Sequence, residues 1–186
     1  MATWNSRGLR GSTLEDLINR TNEQYREKGL ALIQKVPTPI TPIKIDKEHR
    51  HITLAYFEKK STVDYIGAVQ GFPVCFDAKE CNTDTFPLAN IHPHQMDFMG
   101  EFERQGGIAF LILFFTARNE FYYLKYSRIQ EFFTRAQQGG RKRFSRTLSG
   151  RTAKGHSVQG LTFLSEFRII EKIRMVICYH GSTLKY

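Results

Sequence analysis

Residues Ile108 to Phe115 read IAFLILFF, eight apolar side chains in a row. A strand with one face in water alternates polar and apolar residues, whereas an unbroken run suits a strand covered on both faces. The flanking sequence supplies helices to do the covering. Ser12-Thr-Leu-Glu15 is a capping-box pattern, and Leu14, Leu17, Ile18, Thr21 and Tyr25 follow at helical spacing, so a helix is expected from Thr13 to Lys28, stopped by Gly29. His92-Pro-His-Gln95 opens a second helix reaching Glu103 and ended by Gln105-Gly-Gly107, and Ser127 can cap a third carrying Ile129, Phe132 and Phe133. Further strands are expected at Leu30 to Val36 and Phe121 to Lys125, and the apolar-rich end, Leu161 to Tyr179, reads as helix. The order helix, strands, helix, strands, helix points to an α/β domain with a mixed sheet, and 186 residues suit one domain.

Two hairpins punctuate the first half. Pro37-Thr-Pro-Ile-Thr-Pro42 suits neither a helix nor a central strand, and it introduces two short β-like runs, Ile43 to Ile45 and Ile52 to Phe57, on either side of the polar Asp46-Lys-Glu-His-Arg-His51. A hairpin on so stiff a lead-in is expected to project from the body. The second hairpin, residues 63–69 and 73–80, turns at Gln70-Gly71 within VDYIGAVQGFPVCFDAKE. Its strands look like core, yet they carry Asp64, Asp77 and Lys79.

Net charge is +9, from 27 Lys and Arg against 18 Asp and Glu, a balance that speaks to polyanionic partners rather than to fold. From Phe132 to Ser165 there are seven basic residues and no acidic one, while the remainder is nearly even at 20 against 18. This segment, centred on residues 139–160, is either a solvated, flexible linker or a nucleic-acid contact. Three irregularly spaced cysteines argue for reduced thiols in a cytosol, and neither a membrane span nor the apolar core of a signal peptide is expected.

Strand side chains alternate, so Asp77 and Lys79 share one face with Cys75, while Val74, Phe76 and Ala78 take the other. Asp64, on the paired strand, can add a second carboxylate there. Two convergent carboxylates repel each other unless a cation lies between them, and oxygen ligands in that number suit Mg²⁺ or Mn²⁺. A cation so held polarises a phosphodiester and activates a water, with Lys79 orienting that water or offsetting charge. The same spacing equally describes an exposed strand face with an incidental Asp–Lys pair. Glu15 is a further ligand or simply the capping-box acid, and Thr62 either joins the site or only favours β structure. Cys75, Cys81, His92 and His94 fit no common zinc spacing. His94 and Gln95 suit either contact with DNA or the metal site, or a plain role at the helix start. Phe57 suits either base stacking or burial between two copies of the chain.

Asp64 followed by Asp77-Ala78-Lys79 resembles the PD-(D/E)XK nuclease signature, and a longer series resembles the RecU-type Holliday junction resolvases. The matching strings are Arg10-Gly-Ser-Thr-Leu-Glu15, Lys35-Val-Pro-Thr-Pro39, Ala55-Tyr-Phe57, Ser61-Thr-Val-Asp-Tyr65, Phe76-Asp-Ala-Lys-Glu80, Phe86-Pro-Leu88, His92-Pro-His-Gln95 and Gly140-Arg-Lys142, over about residues 9 to 143. The resemblance implies a restriction-endonuclease-like mixed sheet flanked by helices, with a β-hairpin stalk at residues 37–60. It implies a homodimer that uses Mg²⁺ or Mn²⁺ to cut four-way DNA junctions by symmetric paired nicks. Asp64, Asp77 and Thr62 would bind metal, Lys79 would be the catalytic lysine, and Glu15 would complete the site. Arg10, Lys35, Arg50, Gln95, Arg141, Lys142 and Arg143 are expected on DNA. Beyond a second copy and junction DNA, a RecA-type recombinase is an expected partner, at the nucleoid in the cytoplasm and away from any membrane. The chain departs from the family in having Asp77 where Glu is usual, and the region after Arg143 does not match. The other readings are a different PD-(D/E)XK nuclease and a non-catalytic, recombinase-modulating junction binder.

Overall fold

The computed structural model describes residues 13–57, 62–145 and 152–154. Helix α1 (Thr13–Glu27) buries Leu14, Ile18, Thr21 and Tyr25, the stripe set by its sequence spacing. Gly29 ends it in the left-handed region at φ 64°, and the Leu30 N–H reaches back to Tyr25 O, a Schellman closure. Strands β1 (Ala31–Lys35), β2 (Ile40–Asp46), β3 (His51–Phe57), β4 (Tyr65–Val69), β5 (Phe72–Cys81) and β6 (Thr85–Pro87) follow. Then come α2 (Pro93–Arg104), β7 (Ile108–Phe115), β8 (Glu120–Lys125), α3 (Tyr126–Gln137), β9 (Arg143–Ser145) and β10 (Thr152–Lys154).

The main sheet has the order β1-β4-β5-β7-β8-β10. Its β5–β7 pair is parallel and its other pairs are antiparallel, so the sheet is mixed, as the element order predicts. A two-residue turn at Gln70 (φ 49°) and Gly71 (φ 90°) joins β4 to β5, the type I′ geometry that matches strand twist. Pro73 is tolerated in a central strand because β7 begins its pairing one residue later, opposite Val74. Helix α1 covers one face over Val74, Phe76, Phe110, Ile112 and Phe114; α2 and α3 cover the other over Cys75, Leu111, Leu113 and Phe115. The uninterrupted apolar run of β7 is thereby buried on both sides.

That second cover corrects one expectation. The reading of the Cys75 and Asp77 face as an exposed strand face does not hold: both residues are fully buried, Cys75 within the cluster that includes α2 and α3 and Asp77 against Gln95 of α2. Ser127 is also not a cap, because β8 runs directly into α3 with Lys125 at the N-cap and Tyr126 already helical. The basic segment, read as either a flexible linker or a nucleic-acid contact, contributes β9 to a small sheet with β6 and β10 to the edge of the main sheet. The expected helix at 161–179 lies outside the described residues.

Strands β2 and β3 pair only with each other and leave nearly every side chain exposed. Pro42 fits β2 because this hairpin has open edges, and the register shifts between Pro42 and Lys44. Ile43, Ile45, Leu54, Tyr56 and Phe57 are all more than half exposed, and Phe57 reaches 74%.

Candidate active site

The register that pairs Tyr65 with Phe76 puts Asp64 opposite Asp77 at the next step, although Asp64 itself stands one residue ahead of β4. Directly opposed antiparallel residues have Cβ atoms about 5 Å apart, close enough for the two carboxylates to meet. Asp64 Oδ2 accepts the Ala78 N–H at 3.0 Å, a side chain taking over where the β4 main chain leaves the ladder. On Asp77, Oδ1 accepts from Gln95 Nε2 at 2.9 Å. Lys79 Nζ lies 2.5 Å from Asp77 Oδ2. This contact is an ion pair rather than a directed hydrogen bond, since no donor is aligned on that buried oxygen.

Burial, followed by the charge of Asp64, pushes the Asp77 carboxyl up to about 7, and Lys79 opposes the shift only in part. The fold thus holds an acid that resists ionising unless more positive charge arrives. An incompletely bonded carboxylate oxygen beside a second carboxylate fits a hard divalent cation. Among the described residues no group of three or more His, Cys, Asp or Glu converges. Mg²⁺ typically needs only one or two carboxylates and completes its shell with water and substrate phosphate. The donor set fits that ion.

Around this pair, Tyr65 donates to Asn19 Oδ1, and burial followed by the charges of Glu15 and Asp64 holds its proton on. Glu15 forms a 2.6 Å ion pair with Lys35 Nζ at the end of β1. Thr62 is half-buried in the bend two residues before Asp64. The Val36 N–H donates to Asp64 O, so the β2–β3 hairpin leaves the body right beside the carboxylate.

A family model described as Recombination protein U matches residues 9–164. A protein named Holliday junction resolvase RecU from Geobacillus sp. (strain WCH70) is 45% identical over 139 residues, 73% of this chain and 69% of its own. The chain belongs to the RecU family. A relative of the same name from Geobacillus kaustophilus is 43% identical over 80% of this chain and 76% of its own, and one from Limosilactobacillus reuteri is 43% identical over 74% and 70%. Among solved structures, the Holliday junction resolvase Hjc of Archaeoglobus fulgidus aligns over 72% of this chain and 89% of its own, but at 8% identity and a TM-score of 0.43 it carries no weight.

For this RecU-family chain the structure brings Asp64, Asp77 and Lys79 together and adds Gln95 to them. Gln95, read as touching DNA or the metal site or as a plain helix-start residue, is 6% exposed and bonded to Asp77, so the DNA alternative does not hold. Its carbonyl accepts the His92 N–H and its amide nitrogen holds Asp77, so it anchors the acid from the first turn of α2. The four-residue stretch His92-x-x-Gln95 at a Pro-started helix is the local signal for a role at the site, and Asp77 as the partner 18 residues away is what it does not name. Arg50 stands exposed at the β2–β3 turn at φ 53°. Arg141, Lys142 and Arg143 are exposed on a backbone fixed by Leu88 N–H to Lys142 O and by Arg135 Nη2 to Arg141 O and Arg143 O. Arg10 lies outside the described residues.

Another residue that sequence reasoning passed over is Glu80. Its Oε1 accepts the Leu14 N–H at 2.9 Å, tying the first turn of α1 to the strand that carries Asp77. A carboxylate at a helix N-terminus is favoured by the helix dipole, and here it comes from 66 residues away.

Proposed function

We propose that this chain is a metal-dependent endonuclease that resolves four-way DNA junctions, working as a homodimer whose two sites nick opposed strands. The observation that carries the reading is the buried Asp77 facing Asp64, with Lys79 Nζ 2.5 Å from its Oδ2. The relatives named Holliday junction resolvase RecU supply the substrate class.

Asp64 and Asp77 would hold Mg²⁺ or Mn²⁺, which supplies Lewis acidity to the phosphate and a nucleophilic water near neutral pH. Gln95 and the Ala78 N–H keep the two carboxylates in one orientation, so little rearrangement is left for substrate binding. Lys79, 21% exposed, reaches solvent and faces the negative charge that grows on the phosphate. Thr62 and Glu15 stand at the margin of this centre, Glu15 with Lys35 as its counter-charge. Lys35, Arg50 and the Arg141–Arg143 ridge would neutralise backbone phosphates, a term that steepens salt dependence. One chain carries one such centre, so paired nicks require two chains. The apolar, exposed β2–β3 hairpin supports that association and the recognition of a branch point.

The deciding experiment is a labelled synthetic four-way junction with Mg²⁺, comparing the unaltered chain with Asp77→Ala. Binding is expected to survive and cleavage to fall by at least about 10³-fold. Equal nicking by both proteins removes Asp77 from the chemistry. Parallel reactions on flap and linear duplex substrates test the junction preference.

A further inference from the structure

The parallel pair β5–β7 ends at Cys81 and Phe115, and in open α/β sheets ligands collect outside the carboxyl ends of parallel strands. A cavity of about 430 Å³ lies there, formed by the residues after β5, the β6–α2 connection and Thr116 after β7. That volume falls within the range of about 300–1,000 Å³ usual for small-ligand sites. Its lining begins at Glu80, the residue after Lys79 on the same strand, and runs away from Asp77 through Cys81 and Asn82. The cavity is therefore close to the proposed reaction centre, yet separate from it.

Its lining has a definite chemistry. Asn82 and Asn90 present carboxamides that make no hydrogen bond among the described residues, each offering both a donor and an acceptor. The Thr83 hydroxyl donates to Thr85 O and the Thr116 hydroxyl to Cys81 O, leaving their lone pairs as acceptors. No Lys or Arg lines it among the described residues, and the carboxylate of Glu80, which contributes to the rim, is engaged by the Leu14 N–H. A phosphate would find no basic side chain there, whereas a base edge would meet matched donors and acceptors. The loop is also held in shape: the single Cys81 S–H is shared between Thr83 O and Thr85 O, 3.3 and 3.4 Å away, and Arg118 grips Asp84 through two hydrogen bonds at 3.2 and 3.3 Å.

We propose that this cavity receives a nucleobase of the strand being cut and reads its edge through Asn82 and Asn90, giving the enzyme a base preference close to the cut. The inference rests on the nuclease reading above. At about 3.4 Å per nucleotide, the 13 Å or so from Asp77 to Cys81 places the base within about four nucleotides of the reacting phosphate.

The test uses the full chain and a pool of four-way junctions randomised around the branch point, with every cut end sequenced and counts normalised to total cleavage. The unaltered chain is expected to favour one base at one position by about tenfold, the worth of a good base-edge contact. Asn82→Ala or Asn90→Ala flattens that preference, and Asn82→Asp shifts it towards bases presenting a donor. Arg143→Ala, a phosphate-contact control, weakens binding while leaving the profile in place. An unaltered chain that cuts without base preference, or Asn variants that keep its profile, overturns the inference and leaves the nuclease standing. Absence of cleavage by the unaltered chain in both Mg²⁺ and Mn²⁺ defeats the nuclease reading and the inference with it.

Discussion

Two hairpins of one chain, β4–β5 and β2–β3, are built from similar apolar, β-branched and aromatic residues and meet opposite fates. The first turns through two residues, carries Asp64 and Asp77 at its open end, and has β1, β7, α1 and α2 to close over it. The second turns through Lys47–Arg50, loses register twice and, among the described residues, its strands pair only with each other. An isolated two-stranded hairpin is marginal in water, so Ile45, Ile52, Leu54 and Tyr56 gain little by being there. Apolar content makes a strand; only a third and fourth layer make it core. The same kinds of residue are thus left in water on a hairpin that leaves the body beside Asp64.

Energetics should separate the two regions first. Leu111, fully buried in β7, is expected to cost about 2–5 kcal/mol when changed to Ala. Leu54→Ala in β3 should shift the same urea-unfolding free energy by less than about 0.5 kcal/mol. Similar losses at both sites would mean that the hairpin is packed against the body in solution.

The acids separate them next. The folded-state carboxyl of Asp77 titrates near 7, above its ordinary value of 3.8, so the fold favours its protonated form. Its contribution to stability is complete below pH 3.8 and is lost as pH rises through 7. In EDTA, the melting temperature should therefore fall between pH 4 and 7, and Asp77→Asn should remove much of that fall. Added Mg²⁺ should restore stability most strongly at the upper end. Asp46→Asn, at the exposed tip of β2–β3, should leave the slope unchanged. A slope indifferent to Asp77 would show that the buried acid ionises as freely as a surface one.

Replacing residues 41–57 by a short Gly–Ser linker should come third in size. Selectivity for junction over duplex is expected to drop by about tenfold, roughly the worth of one good contact surface, while the body melts cooperatively as before. Equal loss of affinity for both DNAs would reduce the hairpin to a general DNA-binding arm.

What could be read from the sequence follows the range of the interactions involved. Helix α1, the β7 run and the Gln70-Gly71 turn are local patterns, and they stand as expected. Once that turn fixes the register, the meeting of Asp64 with Asp77 follows almost by counting. The burial of Asp77 was not legible, because a charged residue alternating along a strand reads as solvent-facing until α2 is known to lie on it. Gln95 reaches Asp77 only through the crossover from β5 to β7, and the three-residue strands β9 and β10 depend on distant partners. Short elements and long reaches leave no periodicity to read.

The finest test is a matched pair of turn substitutions. Gln70 at φ 49° and Arg50 at φ 53° both hold a left-handed conformation that costs a side-chain-bearing residue about 1–2 kcal/mol and that Asn adopts more readily. In the embedded hairpin, Gln70→Asn relieves strain within the cooperative unit, so it should raise global stability by about 0.5–1 kcal/mol. In the free hairpin, Arg50→Asn relieves similar strain in a region that opens on its own. Its global unfolding curve should not move, and the gain should register only as slower amide exchange in residues 44–54. A rise in global stability from Arg50→Asn would couple the hairpin to the body after all, and with it the open edges of β2 and β3 to the carboxylates at its root.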